Sequence, residues 1–361
     1  MIKKSILASL VLTFLSITVL SQQPAIDPKK YIVSFVKLWN IPGLSAAVSV
    51  NGNIVFRHNE GYANLENKVP ASDNTVFRIY SSTKVMTGIA VMKLAELGFL
   101  TLDDDVRKHV PYFPQKNKTV TIRQLLMHTS GIRHYEDGES SFKTEHFRTV
   151  QDAITLFAND SLLFEPGTKF NYSTFGFTLL QAVIENTSGK SFEEFMKEYV
   201  WLPSGMNNTS LDVYNRPNNQ KAQGYRRDPV KGNIFPSKFD DVSFKYAAGG
   251  VLSTAEDMVK MCIALEQGKL LNEKSIKEML TPGPRNNGLG WGVRTKKNNT
   301  AETLLASHPG RSNGFESYLF YYPEKKVSLA IVMNQNFISD IRLLMRFTEG
   351  LASYFLPVNE S

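Results

Sequence analysis

The sequence predicts an α/β protein of the α+β type, with one antiparallel sheet built from both chain ends and flanked by terminal helices. Two observations carry this prediction: strand-like patterns lie near both ends of the chain, and helical patterns fill its middle. The composition is that of a globular protein, since 42% of the 361 residues are hydrophobic and 21% are charged. We expect a single domain over 22–361, with a sheet lobe at about 26–80 and 285–361 and a mainly helical lobe at about 81–284.

Residues 1–21 are predicted to be a signal peptide. Lys3 and Lys4 precede an apolar run over 6–20, and Val19 and Ser21 are small residues at the −3 and −1 positions of a cleavage site. We therefore expect an exported protein, periplasmic or secreted, with no stable membrane anchor after cleavage. An uncleaved N-terminal anchor is the alternative, because the two patterns look alike up to the cleavage site.

The first elements of the sheet lobe are a helix and a hairpin. Pro28 starts a helical pattern that continues to Leu38. Strand-like runs at 43–50 and 54–59 flank the dipeptide Asn51-Gly52, which favours a tight hairpin turn.

The helical lobe is predicted to begin with a buried helix over 81–96, which has few charges and is followed by Gly98. Further helices are expected at 122–127, 150–158, 176–184, 192–199 and 255–267.

The chain then returns to the sheet lobe. Strands are expected at 291–296, 303–308, 315–322 and 327–334, followed by an amphipathic helix over 339–355. If the two ends share one sheet, the cleft between the lobes is the expected ligand site.

Charge and cysteine content argue against a nucleic-acid partner and against an internal disulfide. The formal net charge is +7, but the basic residues are scattered, so we expect no nucleic-acid partner. The lone cysteine, Cys262, excludes an internal disulfide and lies in an apolar helical pattern. We expect a buried structural thiol there, not a nucleophile.

Serine followed three residues later by lysine is the main chemical signal. A serine hydroxyl needs a base within reach, and a lysine one helical turn away can serve if its pKa is lowered by burial or by nearby positive charge. The spacing occurs at Ser34 with Lys37, Ser81 with Lys84, and Ser140 with Lys143. Only Ser81 stands where a strand-like run turns into an apolar helix, whose free N–H groups favour an anion. Ser34 lies within an amphipathic helix, and Ser140 in a polar loop.

The sequence around Ser81 resembles the serine beta-lactamase-related family, which includes class C beta-lactamases, penicillin-binding carboxypeptidases and related esterases. Six segments follow the family's order: FRIYSSTK at 77–84, LLMHTSGI at 125–132, PG at 166–167 with FNYS at 170–173, AGGV at 248–251 with STAED at 253–257, GLGW at 288–291 and HPG at 308–310. This resemblance implies a beta-lactamase/transpeptidase-like fold and an acyl-enzyme mechanism.

The resemblance also implies roles for individual residues. Ser81 would be the nucleophile and Lys84 its partner. Tyr172 would be a second base or proton shuttle, since a phenol near two cationic groups ionises more easily. His308 would assist Tyr172 or attract an acidic group of the substrate.

Two positions depart from the family pattern. Thr174 stands where many members have an asparagine that contacts substrate and lysine, and Pro309 stands where many beta-lactamases have a threonine. Both changes argue against efficient beta-lactam hydrolysis.

The resemblance also implies roles for backbone groups. Gly310 would let substrate approach the strand closely, and the backbone N–H groups of Ser81 and Arg311 would form the oxyanion hole.

The amino-acid sequences of segments 131–135 and 172–177 resemble the mitochondrial beta-lactamase-like serine protease branch most closely. We therefore expect a small-molecule or peptide substrate with a peptide, amide or ester bond. Filament formation in that branch makes self-association an expectation as well. Narrower alternatives are a D-alanyl-D-alanine carboxypeptidase and a beta-lactamase proper; an alternative of another class is a penicillin-binding sensor without turnover.

No cofactor and no metal are expected. His128, His134 and Glu136 lie close together in the sequence, but they lack the spacing of a metal-binding helix. The resemblance makes His128 a structural residue near the junction of a helix and a loop.

Overall fold

The computed structural model describes residues 27–136, 142–228, 230–298, 301–336 and 341–357. The predicted signal peptide and Ser140 lie outside these residues. Across the described ranges, none of the helices combines the length and apolar character that a bilayer crossing requires.

Twelve strands occur in the described part of the chain: β1 (Gly43–Val50), β2 (Asn53–Asn64), β3 (Val69–Pro70), β4 (Phe77–Arg78), β5 (Ser210–Leu211), β6 (Tyr225–Arg227), β7 (Ile234–Pro236), β8 (Val251–Ser253), β9 (Gly292–Asn298), β10 (Ala301–Ser312), β11 (Phe315–Tyr322) and β12 (Val327–Met333). Seven of them form an antiparallel sheet in the order β3-β2-β1-β12-β11-β10-β9. Ala47 of β1 lies opposite Ala330 of β12, so the two chain ends meet in one sheet. This confirms the predicted fold class.

The helices of the described residues are α1 (Pro28–Trp39), α2 (Thr83–Glu96), α3 (Val106–His109), α4 (Ile122–Leu126), α5 (Val150–Ile154), α6 (Thr174–Ser188), α7 (Phe192–Met196), α8 (Leu202–Ser204), α9 (Tyr246–Gly249), α10 (Ala255–Glu266), α11 (Glu273–Met279) and α12 (Ile341–Ala352). α2 packs against α6 and α9 at the centre of the helical lobe. Because α2 is apolar on nearly all sides, it can only be stable when buried.

The large sheet separates two hydrophobic cores. Leu44, Ala46 and Val48 of β1 face the terminal helices α1 and α12, whereas Ala47 faces the helical lobe. This alternation follows from the two-residue period of a strand. Phe35 of α1 stacks on Phe347 of α12 with ring centroids 3.7 Å apart, and α10 packs on the opposite face of the sheet.

Local sequence determines the first hairpin. Asn51 and Gly52 both have positive φ, at 50° and 75°, as a tight turn between twisted strands requires. The predicted hairpin and the limits of its first strand are therefore confirmed.

The helical lobe differs from the prediction in two respects. It contains a three-stranded sheet in the order β4-β8-β5 and a separate β6–β7 pair, and these strands are too short to show a two-residue period. The helix predicted over 192–199 ends at Met196 and continues as a wider π turn over Lys197–Trp201.

Candidate active site

Ser81 lies in a 3-10 turn, Tyr80–Ser82, between β4 and α2. Ser82 is buried and fixes this turn to the sheet, because its hydroxyl donates to the His308 carbonyl at 3.0 Å and contacts the Ser317 hydroxyl at 2.8 Å. Tyr80 has a φ of 40°, a strained value for a residue with a bulky side chain. The result is a turn that presents the partly exposed Ser81 to the cleft.

Lys84 lies one turn along α2 and is completely buried. Its Nζ is 3.3 Å from the Ser81 Oγ and donates to the Ala248 carbonyl at 2.8 Å. Burial, together with the nearby charge of Lys245, holds the pKa of the Lys84 amine well below its ordinary value. An uncharged amine at this distance can accept the serine proton.

Tyr172 completes a group of three side chains. Its phenol hydrogen-bonds to Ser81, and its ring centroid lies 4.9 Å from the Lys84 Nζ. Burial raises the pKa of this phenol, and the hydrogen bond to Ser81 opposes the rise only in part. The prediction that Tyr172 ionises easily is therefore wrong, because burial favours the protonated phenol.

Two histidines orient the segment that carries Tyr172. The backbone N–H of Ser173 donates to the His128 Nδ1 at 3.1 Å, and that of Thr174 donates to the His134 Nδ1 at 3.2 Å. Burial first, then the nearby Lys84, holds the pKa of His128 well below its ordinary value. His134 is a positioning residue that sequence reasoning did not assign, although it lies in one of the matched segments.

Metal binding has no geometric support at these histidines. Both Nδ1 atoms already accept backbone hydrogen bonds. In the described ranges there is no group of three or more His, Cys, Asp or Glu side chains that could hold a metal ion.

His308 lies on β10 and is buried. Its Nδ1 donates to the Pro309 carbonyl at 2.6 Å, and its ring centroid lies 6.4 Å from that of Tyr172. Burial, with the nearby Lys84, lowers the pKa of His308 to about 3. Burial thus favours the neutral imidazole, which argues against attraction of an acidic substrate group by a charge on His308.

The packing of the chain gives a reason of its own for Gly310, besides the predicted approach of substrate, which stays a prediction. A Cβ at this position would lie 1.9 Å from the Ile79 carbonyl oxygen, so the close approach is to the chain itself. The register of β10 with β9 ends at Ser307. One edge of β10 beyond Ser307 is thus available to the cleft, and Arg311, the proposed second oxyanion donor, lies on this segment.

Two cavities meet at Ser81. The strand-side chamber, about 550 Å³, is lined by Ser81, Tyr172, Arg285, Asn286, Asn287, Gly292, Val293, Arg294, Ser307, His308, Pro309, Arg311 and Tyr318. The helix-side chamber, about 260 Å³, is lined by Tyr80, Ser81, His134, Tyr135, Tyr172, Thr174, Lys245, Ala248, Gly249, Arg311 and Ser312. Ser81, Tyr172 and Arg311 belong to both, so a substrate bond at Ser81 can have one part in each chamber.

The other candidate nucleophiles lie elsewhere. Ser34 and Lys37 are exposed on α1, which covers the face of the sheet opposite the helical lobe. Cys262 is buried, and burial raises the pKa of its thiol. That environment disfavours the reactive thiolate.

Comparison with known proteins gives a consistent family. The sequence model of the family described as Beta-lactamase matches residues 30–346. The serine beta-lactamase-like protein LACTB, mitochondrial, of Homo sapiens is 30% identical over 79% of this chain and 69% of that protein. Penicillin-binding protein 4* of Bacillus subtilis is 30% identical over 79% of this chain and 66% of its own length.

Solved structures have the same architecture. The penicillin-binding protein from Bacillus halodurans aligns with a TM-score of 0.76 at 28% identity, covering 89% of this chain and 98% of that one.

Proposed function

This chain belongs to the beta-lactamase family, and from that premise we propose that it hydrolyses a peptide, amide or ester bond through an acyl-enzyme on Ser81. The family comprises serine hydrolases, so an enzyme is the expected member. The observation that carries the proposal is the 3.3 Å contact between the Ser81 Oγ and the Nζ of a lysine whose pKa is lowered by burial. That pair supplies both the nucleophile and its base.

Acylation follows from the protonation states of the three groups. The Ser81 Oγ attacks the substrate carbonyl carbon and its proton passes to the Lys84 amine. The backbone N–H groups of Ser81 and Arg311 would stabilise the oxyanion. Tyr172 donates its phenolic proton to the leaving nitrogen or oxygen and takes a proton back from Lys84. The net transfer moves the serine proton to the leaving group.

Deacylation uses the same groups in reverse. A water molecule attacks the acyl carbon and gives a proton to Lys84 as its oxygen forms the new bond. The bond to the Ser81 Oγ breaks, and the oxygen recovers a proton through Tyr172.

The charge of the strand-side chamber bears on the substrate class. Arg285, Arg294 and Arg311 are among the described residues that line it, and no carboxylate is. Because Arg294 pairs with Glu349 and Arg311 with Glu316, their charges are largely balanced, and the expectation of a negatively charged substrate group on this side rests on Arg285. With Thr174 and Pro309 in place of the family's common residues, we favour peptides, amides and esters over beta-lactams; a side-by-side turnover screen of these compounds and D-amino-acid peptides separates the alternatives.

The cellular setting is a proposal from residues 1–21 alone. Their pattern supports export to the periplasm or the medium, and self-association is proposed from the resemblance to the mitochondrial branch.

The test of the nucleophile is labelling with a serine-reactive fluorophosphonate. We expect the native protein to be labelled, Ser81→Ala to be unlabelled, and Ser34→Ala and Ser140→Ala to be labelled like the parent. Ser34 is a matched control because it has the same lysine spacing on a different helix. If the native protein stays unlabelled while an unrelated serine hydrolase in the same tube reacts, the sensor without turnover is the better description.

A further inference from the structure

A second buried lysine lies beside Ser81. Lys245 ends the 3-10 turn Ser243–Lys245, directly before α9, and its relative exposure is only 4%. It lines the helix-side chamber together with Ser81 and Tyr172. The carbonyl that accepts from the Lys84 Nζ, that of Ala248, belongs to α9. Lys245 therefore lines the chamber from the start of α9, and the Lys84 Nζ contacts two residues of the same lining, Ser81 and Ala248, from α2.

The surroundings of Lys245 favour retention of its charge. Its Nζ lies 3.9 Å from the Asp240 Oδ2, 4.8 Å from the ring centroid of Phe244 and 5.5 Å from that of Tyr80. Burial opposes these attractions and lowers the pKa of Lys245 to about 8. At pH 7 this ammonium is still mostly protonated.

The carboxylate of Asp240 is shared between Lys245 and other groups. Its Oδ2 accepts from the Tyr80 hydroxyl at 3.2 Å and lies 3.5 Å from the Arg78 Nη1. Arg78 also pairs with Asp212, and so does Lys221. Within this cluster, Asp240 is thus shared by Arg78 and Lys245, and Asp212 by Arg78 and Lys221.

We propose that Lys245 is a positioning residue that supplies a positive charge beside the active centre and so keeps Lys84 in its free-amine form. This inference rests on the proposed function, since it concerns the base that activates Ser81. Such a cation would be expected on the strand beside the site, but burial favours the neutral form of His308 there. The cation comes instead from the helical lobe, on the opposite side of Ser81.

The direction of the pKa shift of Lys84 agrees with the position of Lys245. Burial is the largest cause of the lowered pKa of Lys84, and the charge of Lys245 is the next. In the described part of the chain, the ionisable groups that act on the two lysines or on their neighbours include Arg78, Tyr80, His128, His134, Lys143, Tyr172, Asp240, Asp241 and His308.

The test is the pH dependence of the second-order rate constant for fluorophosphonate labelling. The free amine of Lys84 accumulates above its pKa, and removal of a neighbouring cation raises that pKa. We therefore expect Lys245→Met to move the alkaline-rising limb up by about one pH unit, which slows labelling about tenfold on that limb. The two proteins should converge at high pH, where Lys84 is uncharged in both.

Three further variants make the test decisive. Lys245→Arg retains the charge and should keep the parent profile within a few tenths of a pH unit. Lys221→Met removes a cation of the same cluster that lines a separate cavity, and it should leave the profile unchanged. Lys245→Gln replaces Lys245→Met if the latter does not fold, as judged by circular dichroism.

The outcomes separate the inference from the proposed function. An equal fall at every pH, or a profile unchanged in Lys245→Met, overturns the role of Lys245. A parent protein that is not labelled, or that is labelled equally after Ser81→Ala, overturns the proposed function instead.

Discussion

The two walls of the cleft differ in how they serve the site. The helical wall, formed by α2, the start of α6 and α9, carries the ionisable groups Lys84, Tyr172 and Lys245. The sheet wall, formed by β10, carries His308, Gly310 and Arg311, of which the imidazole is neutral and the glycine only permits close packing. In the proposed mechanism, proton transfer uses side chains of the helical wall, and the sheet wall contributes backbone groups and arginine side chains.

This asymmetry has a physical origin. Burial penalises the charged form of every group in the cleft, so it lowers the pKa values of Lys84 and His308 and raises that of Tyr172. Lys84 combines a lowered pKa with hydrogen-bonding distance to the Ser81 hydroxyl, whereas the phenol of Tyr172, whose pKa is raised, is a poor acceptor of the serine proton. Burial and the type of side chain together therefore mark Lys84 as the proposed base.

Removal of the base should have the largest effect. We expect Lys84→Ala to slow fluorophosphonate labelling by about a thousandfold at pH 7, because the variant lacks the amine that contacts the Ser81 hydroxyl. Lys37→Ala, on the exposed α1 helix, is the matched control and should label normally. Labelling within tenfold of the parent would remove Lys84 from the mechanism.

A change on the sheet wall should act through stability. In Gly310→Ala the new Cβ meets the Ile79 carbonyl, so we expect the free energy of unfolding to fall by about 1–3 kcal/mol in urea denaturation. Gly176→Ala in α6 is the control, since its Cβ would lie 3.6 Å from its neighbours, an ordinary contact. An unfolding free energy for Gly310→Ala equal to that of the parent would contradict the close packing.

The smallest effect is expected at His308. Because burial holds the pKa of this imidazole at about 3, it carries no charge to lose between pH 5 and 9. We expect His308→Gln to leave the shape of the labelling pH profile unchanged, with a fall of less than about tenfold in rate. If a limb near pH 6 to 7 disappears in the variant, then His308 titrates and the sheet wall takes part in proton transfer.

Much of the fold was predictable from the sequence, because the residues that determine its turns and strands are neighbours in the chain. Asn51-Gly52 marks its own hairpin, and the residue limits of β1 follow from its flanking turns. The choice of Ser81 over Ser34 and Ser140 depended on the change from strand-like to apolar helical sequence, which lies within a few residues of it.

The parts that failed depend on distant residues. Whether Tyr172 ionises is decided by burial between α2, α6 and β10, which spacing does not encode. Lys245 lies 164 positions after Ser81 and only folding places it in the helix-side chamber. His134 looks like an ordinary loop residue until its ring is seen to accept the Thr174 amide.

The pairing of β1 with β12 has a consequence for synthesis. Ala47 pairs with a residue almost three hundred positions further along the chain, so β12 must be synthesised before β1 has its partner in the sheet. The helices between can pack earlier, since their contacts are nearer in the chain. We therefore expect the proposed site to be completed late, when β10 brings His308 and Arg311 to a serine that was synthesised much earlier.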